Sequence, residues 1–134
     1  MNKLKSLLVS SKETTVEYPG MPGFELKLAF LGRESLLEMR KRATKQVYKK
    51  HQPTEEFDDD VFLELYTKAI IKGWNGLKFK YLKELVPINE EGLNLEEELE
   101  FNDETALDLI KNSTTFDKFV SDYVSDLGNF NKNN

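Results

Sequence analysis

Phe24-Glu25-Leu26-Lys27-Leu28-Ala29-Phe30-Leu31 is the stretch on which the fold turns. Phe24, Leu26, Leu28 and Phe30 fall on one face, Glu25 and Lys27 on the other. Period-two alternation of this kind specifies a strand with one buried side. Just before it, Pro19-Gly20-Met21-Pro22-Gly23 punctuates the chain twice in five residues. Before that, Thr14-Thr15-Val16-Glu17-Tyr18 is a β-branched run that reads as a partner strand. The segment from about residue 14 to residue 31 is therefore expected to form a β-hairpin. Gly32 ends it.

Working outward, the apolar period lengthens to three and four. Leu36, Met39, Ala43 and Val47 predict a helix from Arg33 to about Lys50, with Glu38, Lys41, Arg42, Lys45 and Lys49 off its apolar stripe. Gln52-Pro53 stops it, because proline disfavours helical geometry in the preceding residue. Asp58, Asp59 and Asp60 open a second helix by capping its free N–H groups. Its stripe is Val61, Phe62, Leu65, Tyr66, Ala69 and Ile70; Lys72 falls in its last turn, and Gly73 is its expected stop. Trp74-Asn75-Gly76-Leu77 reads as a turn, Lys78–Val86 has no decisive period, and Leu93–Phe101 reads as an irregular connection. Two helices close the chain. One is capped by Asn102 or Asp103 and carries Ala106, Leu107 and Ile110. The other is capped by Ser113 or Thr114 and carries Phe116, Phe119, Val120, Tyr123, Val124 and Leu127, with Gly128 as its end. The expected fold is α+β and mostly α-helical, with the N-terminal β-hairpin packed on about four helices. Residues 1–13 form an extension, 14–128 one domain, and 129–134 a flexible tail.

The composition agrees with one modest core. Of 134 residues, 39% are hydrophobic and 32% charged, too apolar for a disordered chain. The absence of cysteine excludes disulfides, a thiolate nucleophile and Cys-ligated metal. One histidine, His51, excludes a His-cluster metal site. The opening MNKLKSLLVSSKE has the lysines of a signal peptide, but its apolar run, Leu7-Leu8-Val9, is far short of the roughly seven to fifteen residues a signal core needs. No stretch reaches the roughly 18 apolar residues of a membrane helix. A cytoplasmic location, with no membrane partner, is the expectation.

The net charge of −5 argues against a nucleic-acid binder as a whole. The charge is unevenly spread: residues 33–51 carry +5 and residues 89–134 carry −9. Arg40, Lys41, Arg42, Lys45, Lys49 and Lys50 make the early helix basic, but Tyr48 is the single aromatic among them, without the repeated interleaving of nucleic-acid surfaces. This is a solvated face or one that steers toward a partner of opposite sign. Glu96-Glu97-Glu98 looks solvated rather than catalytic, and Ser10-Ser11 and Ser113-Thr114-Thr115 have no base. The Asp triplet lacks the spacing and glycine of an EF-hand. The glycines of Gly73-Trp74-Asn75-Gly76-Leu77 follow a helix, the wrong polarity for phosphate binding. No enzymatic activity, cofactor or metal is expected. Trp74 has two readings, a core aromatic packing over the helices or the edge of a partner-binding surface, since tryptophan is enriched at interface hot spots.

The order of elements, and two motifs within it, carry a resemblance. Ala69-Ile70-Ile71-Lys72-Gly73-Trp74-Asn75-Gly76-Leu77 runs from a helix into a Trp-x-Gly-hydrophobic turn. Phe101-Asn102-Asp103-Glu104-Thr105-Ala106-Leu107-Asp108-Leu109-Ile110 opens a helix with a polar cap followed by an apolar pair. Over roughly residues 14–128 the chain resembles the tail assembly chaperones of long-tailed bacteriophages. The resemblance implies a non-catalytic assembly factor that binds the phage tape-measure protein, helps recruit tail-tube subunits, and is absent from the mature virion. Trp74, Leu77, Arg40, Lys41, Arg42 and Lys45 are the candidate partner-binding residues. A structural tail-completion or connector protein retained in the particle is the alternative. Weak self-association is also expected, with the basic helix of one copy against the acidic segment of the next.

Overall fold

The computed structural model describes residues 2–131. Its centre is strand β2 (Glu25–Leu31), paired antiparallel with β1 (Ser11–Glu17) from Ser11↔Leu31 to Glu17↔Glu25. The hairpin expected from the sequence is present and starts three residues earlier than expected. Its connection is tied by Tyr18 N–H to Phe24 O at 2.8 Å and Phe24 N–H to Met21 O at 3.0 Å. Tyr18 and Met21 are thereby buried with Phe24, Leu26 and Leu28.

The remaining elements are arranged around this hairpin. Helix α1 (Lys3–Leu7) precedes it and has no buried residue. Helix α2 (Arg33–Arg42) follows it directly from Gly32. Strands β3 (Thr44–Lys49) and β4 (Gln52–Phe57) form a separate two-stranded ribbon. Helix α3 (Asp59–Ile70) then runs straight into β5 (Ile71–Asn75), which joins the free edge of β2 to complete the order β1-β2-β5. Helices α4 (Phe79–Leu85), α5 (Asp103–Asn112) and α6 (Thr114–Val124) and a 3-10 turn (Leu127–Phe130) close the fold. The fold is α+β, as expected. Phe116 and Val120 of α6, Ala106 and Leu109 of α5, Ile70 and Ile71 at the α3–β5 junction, and Leu82 and Leu85 of α4 pack with the inner face of β2 in a single cluster.

The caps read from the sequence do their work. Asp58 accepts from the Asp60 and Val61 amides, Asn102 from Thr105 N–H, and Ser113 from Phe116 N–H. Five expectations need correction. Helix α6 ends at Val124 rather than at Gly128, and Leu127 is exposed at the start of the 3-10 turn rather than part of the helix stripe. The helix from Arg33 ends at Arg42, not near Lys50, because Thr44–Lys49 pairs with Gln52–Phe57 across a two-residue turn. Pro53 is therefore a ribbon residue opposite Tyr48, tolerable because a two-stranded ribbon consists only of edge strands. Helix α3 stops at Ile70 rather than Gly73, since Gly73 and Trp74 pair with Lys27 and Leu26 of β2. Finally, Phe130, expected in a flexible tail, is buried against Phe30 and Tyr123, at ring-centroid distances of 5.9 and 5.6 Å. Residues 132–134 of that tail lie outside the described residues.

Candidate interaction surface

Six residues were singled out by the sequence, and the structure does not gather them. Leu77 belongs to the interior and Trp74 to its edge. Leu77 has no exposed surface, so it cannot itself touch a partner. Trp74 is half-buried, with its ring edge-on to Phe101 at 5.0 Å, Phe116 at 6.3 Å and Phe24 at 6.5 Å. Its indole N–H donates to Leu99 O at 2.9 Å. In the same turn Gly76 N–H donates to Glu98 Oε1 at 3.0 Å, and Leu77 O accepts from Leu99 N–H at 2.7 Å. Phe79 N–H donates to Glu97 O at 2.8 Å. The Trp-x-Gly-Leu segment is thus a clasp that holds the irregular chain 95–101 onto the core. Its glycine is obligatory: Gly76 has φ +77, and a Cβ there would lie 1.9 Å from the carbonyl oxygen of Gly23.

The basic residues point in different directions. Arg40 lies over the rings of Phe62 and Phe57, at 5.6 and 5.9 Å from their centroids, and so ties α2 to the base of the ribbon by cation–π contact. Lys41 and Arg42 face the other way, into an open groove. Lys45 stands on the ribbon opposite Glu56. Near it, Lys49 binds Glu56 at 2.9 Å, which lowers the Glu56 pKa and raises that of Lys49.

The acidic third is partly neutralised within the molecule. Glu96 pairs with Lys80 at 3.2 Å and Lys78 at 3.8 Å, and the hydrogen bond from Lys80 leads in holding its carboxyl below the usual range. Lys83 pairs with Glu90 at 3.6 Å, and Glu98 is spent on the Gly76 amide. The acidic patch that was expected to meet a neighbour's basic helix is therefore partly committed to the lysines of α4 and to the clasp.

The surface that does stand unpartnered was not singled out as a site. Leu4 and Leu7 of α1, with Leu8 and Val9 after it, are 59–66% exposed, and Leu37 of α2 is 47% exposed. Leu8, Val9, Leu37 and Met39 wall a groove of about 930 Å³, with Arg33, Glu34, Glu38, Lys41 and Arg42 along its rims. The segment is anchored beside α2 by Gly32 N–H donating to Ser10 O at 2.9 Å. In the sequence, Leu7-Leu8-Val9 reads only as an aborted signal core. The usable signal was an apolar run with no core-facing period behind it.

Among the described residues, no group of three or more Asp, Glu or His side chains is placed to hold a metal ion, and no helix is long and apolar enough to cross a membrane. A family model described as the YdaY prophage protein matches residues 33–134, from the start of α2 onward. No curated protein and no solved structure matches the chain.

Proposed function

The chain belongs to the YdaY prophage protein family and is of prophage origin; from that premise we propose that it is a non-catalytic tail assembly chaperone. In this reading it holds the tape-measure protein in the host cytoplasm, helps recruit tail-tube subunits, and leaves before the virion matures. The observation that carries the reading is the open apolar groove between the Leu8–Val9 segment and α2. A holdase needs unsatisfied apolar surface flanked by charge, so that an amphipathic client helix binds without precipitating. Groove residues Leu8, Val9 and Leu37 supply the first, and Arg33, Lys41 and Arg42 the second. Trp74 and Leu77 support this surface only indirectly, by keeping the body folded. Among the six residues proposed from the sequence, Lys41 and Arg42 are the two that border the groove.

The test is co-expression with the tape-measure protein of the same prophage. The wild-type chain should keep that protein soluble, and Leu8→Asp with Leu37→Asp should not, while its own circular dichroism stays unchanged. Equal precipitation with and without the wild-type chain would end the chaperone reading. The β3–β4 ribbon favours the alternative, a tail-completion or connector protein. It is almost wholly exposed, with Tyr48 73% accessible, as an assembly arm would be. Mass spectrometry of purified particles separates the two, since only the structural component stays in the virion.

A further inference from the structure

We infer that, without a client, two copies of this chain cover each other's groove, α1 of each lying against α2 of the other; the inference rests on the chaperone reading and adds its regulation. Leu4, Leu7 and Leu8 are spaced as one helical face, and that face is largely exposed among the described residues. The outer face of α2 runs Glu34, Leu37, Glu38, Lys41, with every member exposed.

The charge complementarity is local: it lies around Leu37 in the first half of α2, while Arg40, Lys41 and Arg42 gather in its last turn. Helix α1 carries Lys3 and Lys5 and no acid, whereas the exposed α2 face presents Glu34 and Glu38 beside Leu37. Among the described residues none of these four forms an ion pair within its own chain. A two-fold axis between the copies satisfies both helices twice, because each copy offers both halves of the contact. The apolar part of the contact is five side chains per copy, Leu4, Leu7, Leu8, Val9 and Leu37, a smaller patch than the roughly 800 Å² per partner of a standard interface requires. Such a dimer is weak and reversible, as a cover that a client must displace has to be.

Sedimentation velocity on the full chain over a concentration series tests this. The mass should rise from one copy toward two and no further. Leu7→Glu with Leu37→Glu should remain monomeric throughout, with an unchanged thermal midpoint. Lys3→Glu with Lys5→Glu should weaken the dimer at least tenfold, and adding Glu34→Lys with Glu38→Lys should restore it. A wild-type monomer at every concentration would overturn the inference, whether or not it binds anionic phospholipid vesicles. So would growth beyond two copies, or a dimer indifferent to the leucine substitutions. Adding the tape-measure protein of the same prophage should dissociate the dimer. A leucine-dependent dimer that this protein leaves intact would support the two-fold contact and refute the chaperone reading.

Discussion

Replacing Gly76 by alanine tests whether the Trp-x-Gly-Leu clasp organises the body. Two costs are separable. The first is conformational: φ of +77 lies in the left-handed region, where a Cβ costs about 1–2 kcal/mol. The second is steric. The new Cβ would lie 1.9 Å from Gly23 O and 2.7 Å from its carbonyl carbon, both backbone atoms. Ordinary contact begins near 3.4 Å, so the two segments must part by about 1.5 Å. That movement pulls on the Gly76–Glu98 and Leu77–Leu99 hydrogen bonds, each contributing about 1 kcal/mol. Alanine also restricts the unfolded chain, which returns about 0.4–1 kcal/mol. The expected net loss is about 2–4 kcal/mol, a large share of the roughly 5–15 kcal/mol that holds a domain together. Gly20→Ala is the control. Its φ is +79 but nothing lies within 4 Å of the added carbon, so it bears the conformational cost alone. Urea unfolding followed by fluorescence of the single tryptophan and by circular dichroism measures both. If Gly76→Ala costs no more than Gly20→Ala, the close approach of the clasp to the first hairpin loop is not a determinant of stability.

Trp74→Phe should cost about 1–3 kcal/mol, because it leaves the Leu99 carbonyl without its indole donor; Trp74→Ala should cost about 3–5 kcal/mol, and equal unfolding midpoints for wild type and Trp74→Phe would contradict the clasp. In the ribbon, Lys50 and His51 both hold positive φ, at 53 and 67, so replacing them by Asn-Gly should stabilise the turn by about 1 kcal/mol, read as about fivefold slower amide exchange confined to β3 and β4. Glu96 has a lowered folded-state pKa, so its contribution to stability is present above the ordinary glutamate value near ~4.3 and is lost as pH falls through the folded value. Carboxyl-resolved NMR titration should find Glu96 below ordinary glutamate, and Lys80→Met should move it back up.

Local chemistry determined much of this protein without help from its fold. The alternation of Phe24, Leu26, Leu28 and Phe30 is a property of eight consecutive residues, and β2 forms where it says. Asp58, Asn102 and Ser113 cap helices by bonds that span only two or three residues, so α3, α5 and α6 were legible from their first turns. What only the tertiary structure decided involves pairing at a distance. Leu36, Met39, Ala43 and Val47 keep helical spacing through Lys50, yet Thr44–Lys49 leaves the helix because Gln52–Phe57 offers a strand to pair with. Ile71–Asn75 is a strand only because the far edge of β2 was vacant, and that pairing makes Gly73 a sheet residue rather than a helix stop. The lysines at 78, 80 and 83 hide the period of α4, whose Leu82 and Leu85 face the core while the lysines reach outward, those at 80 and 83 to Glu96 and Glu90. The placement of Trp74 and Leu77 followed the same logic. An aromatic and a leucine beside a glycine suit a surface or a core equally well in sequence. Hydrogen bonds to a segment more than twenty residues away bury Leu77 and leave Trp74 half-buried at the edge of the core. The open groove had only a faint sequence signature, the apolar run Leu7-Leu8-Val9 with no core-facing period, because it is defined by what fails to cover Leu8, Val9 and Leu37. Whether a side chain is covered is settled by the whole chain and not by its neighbours in sequence.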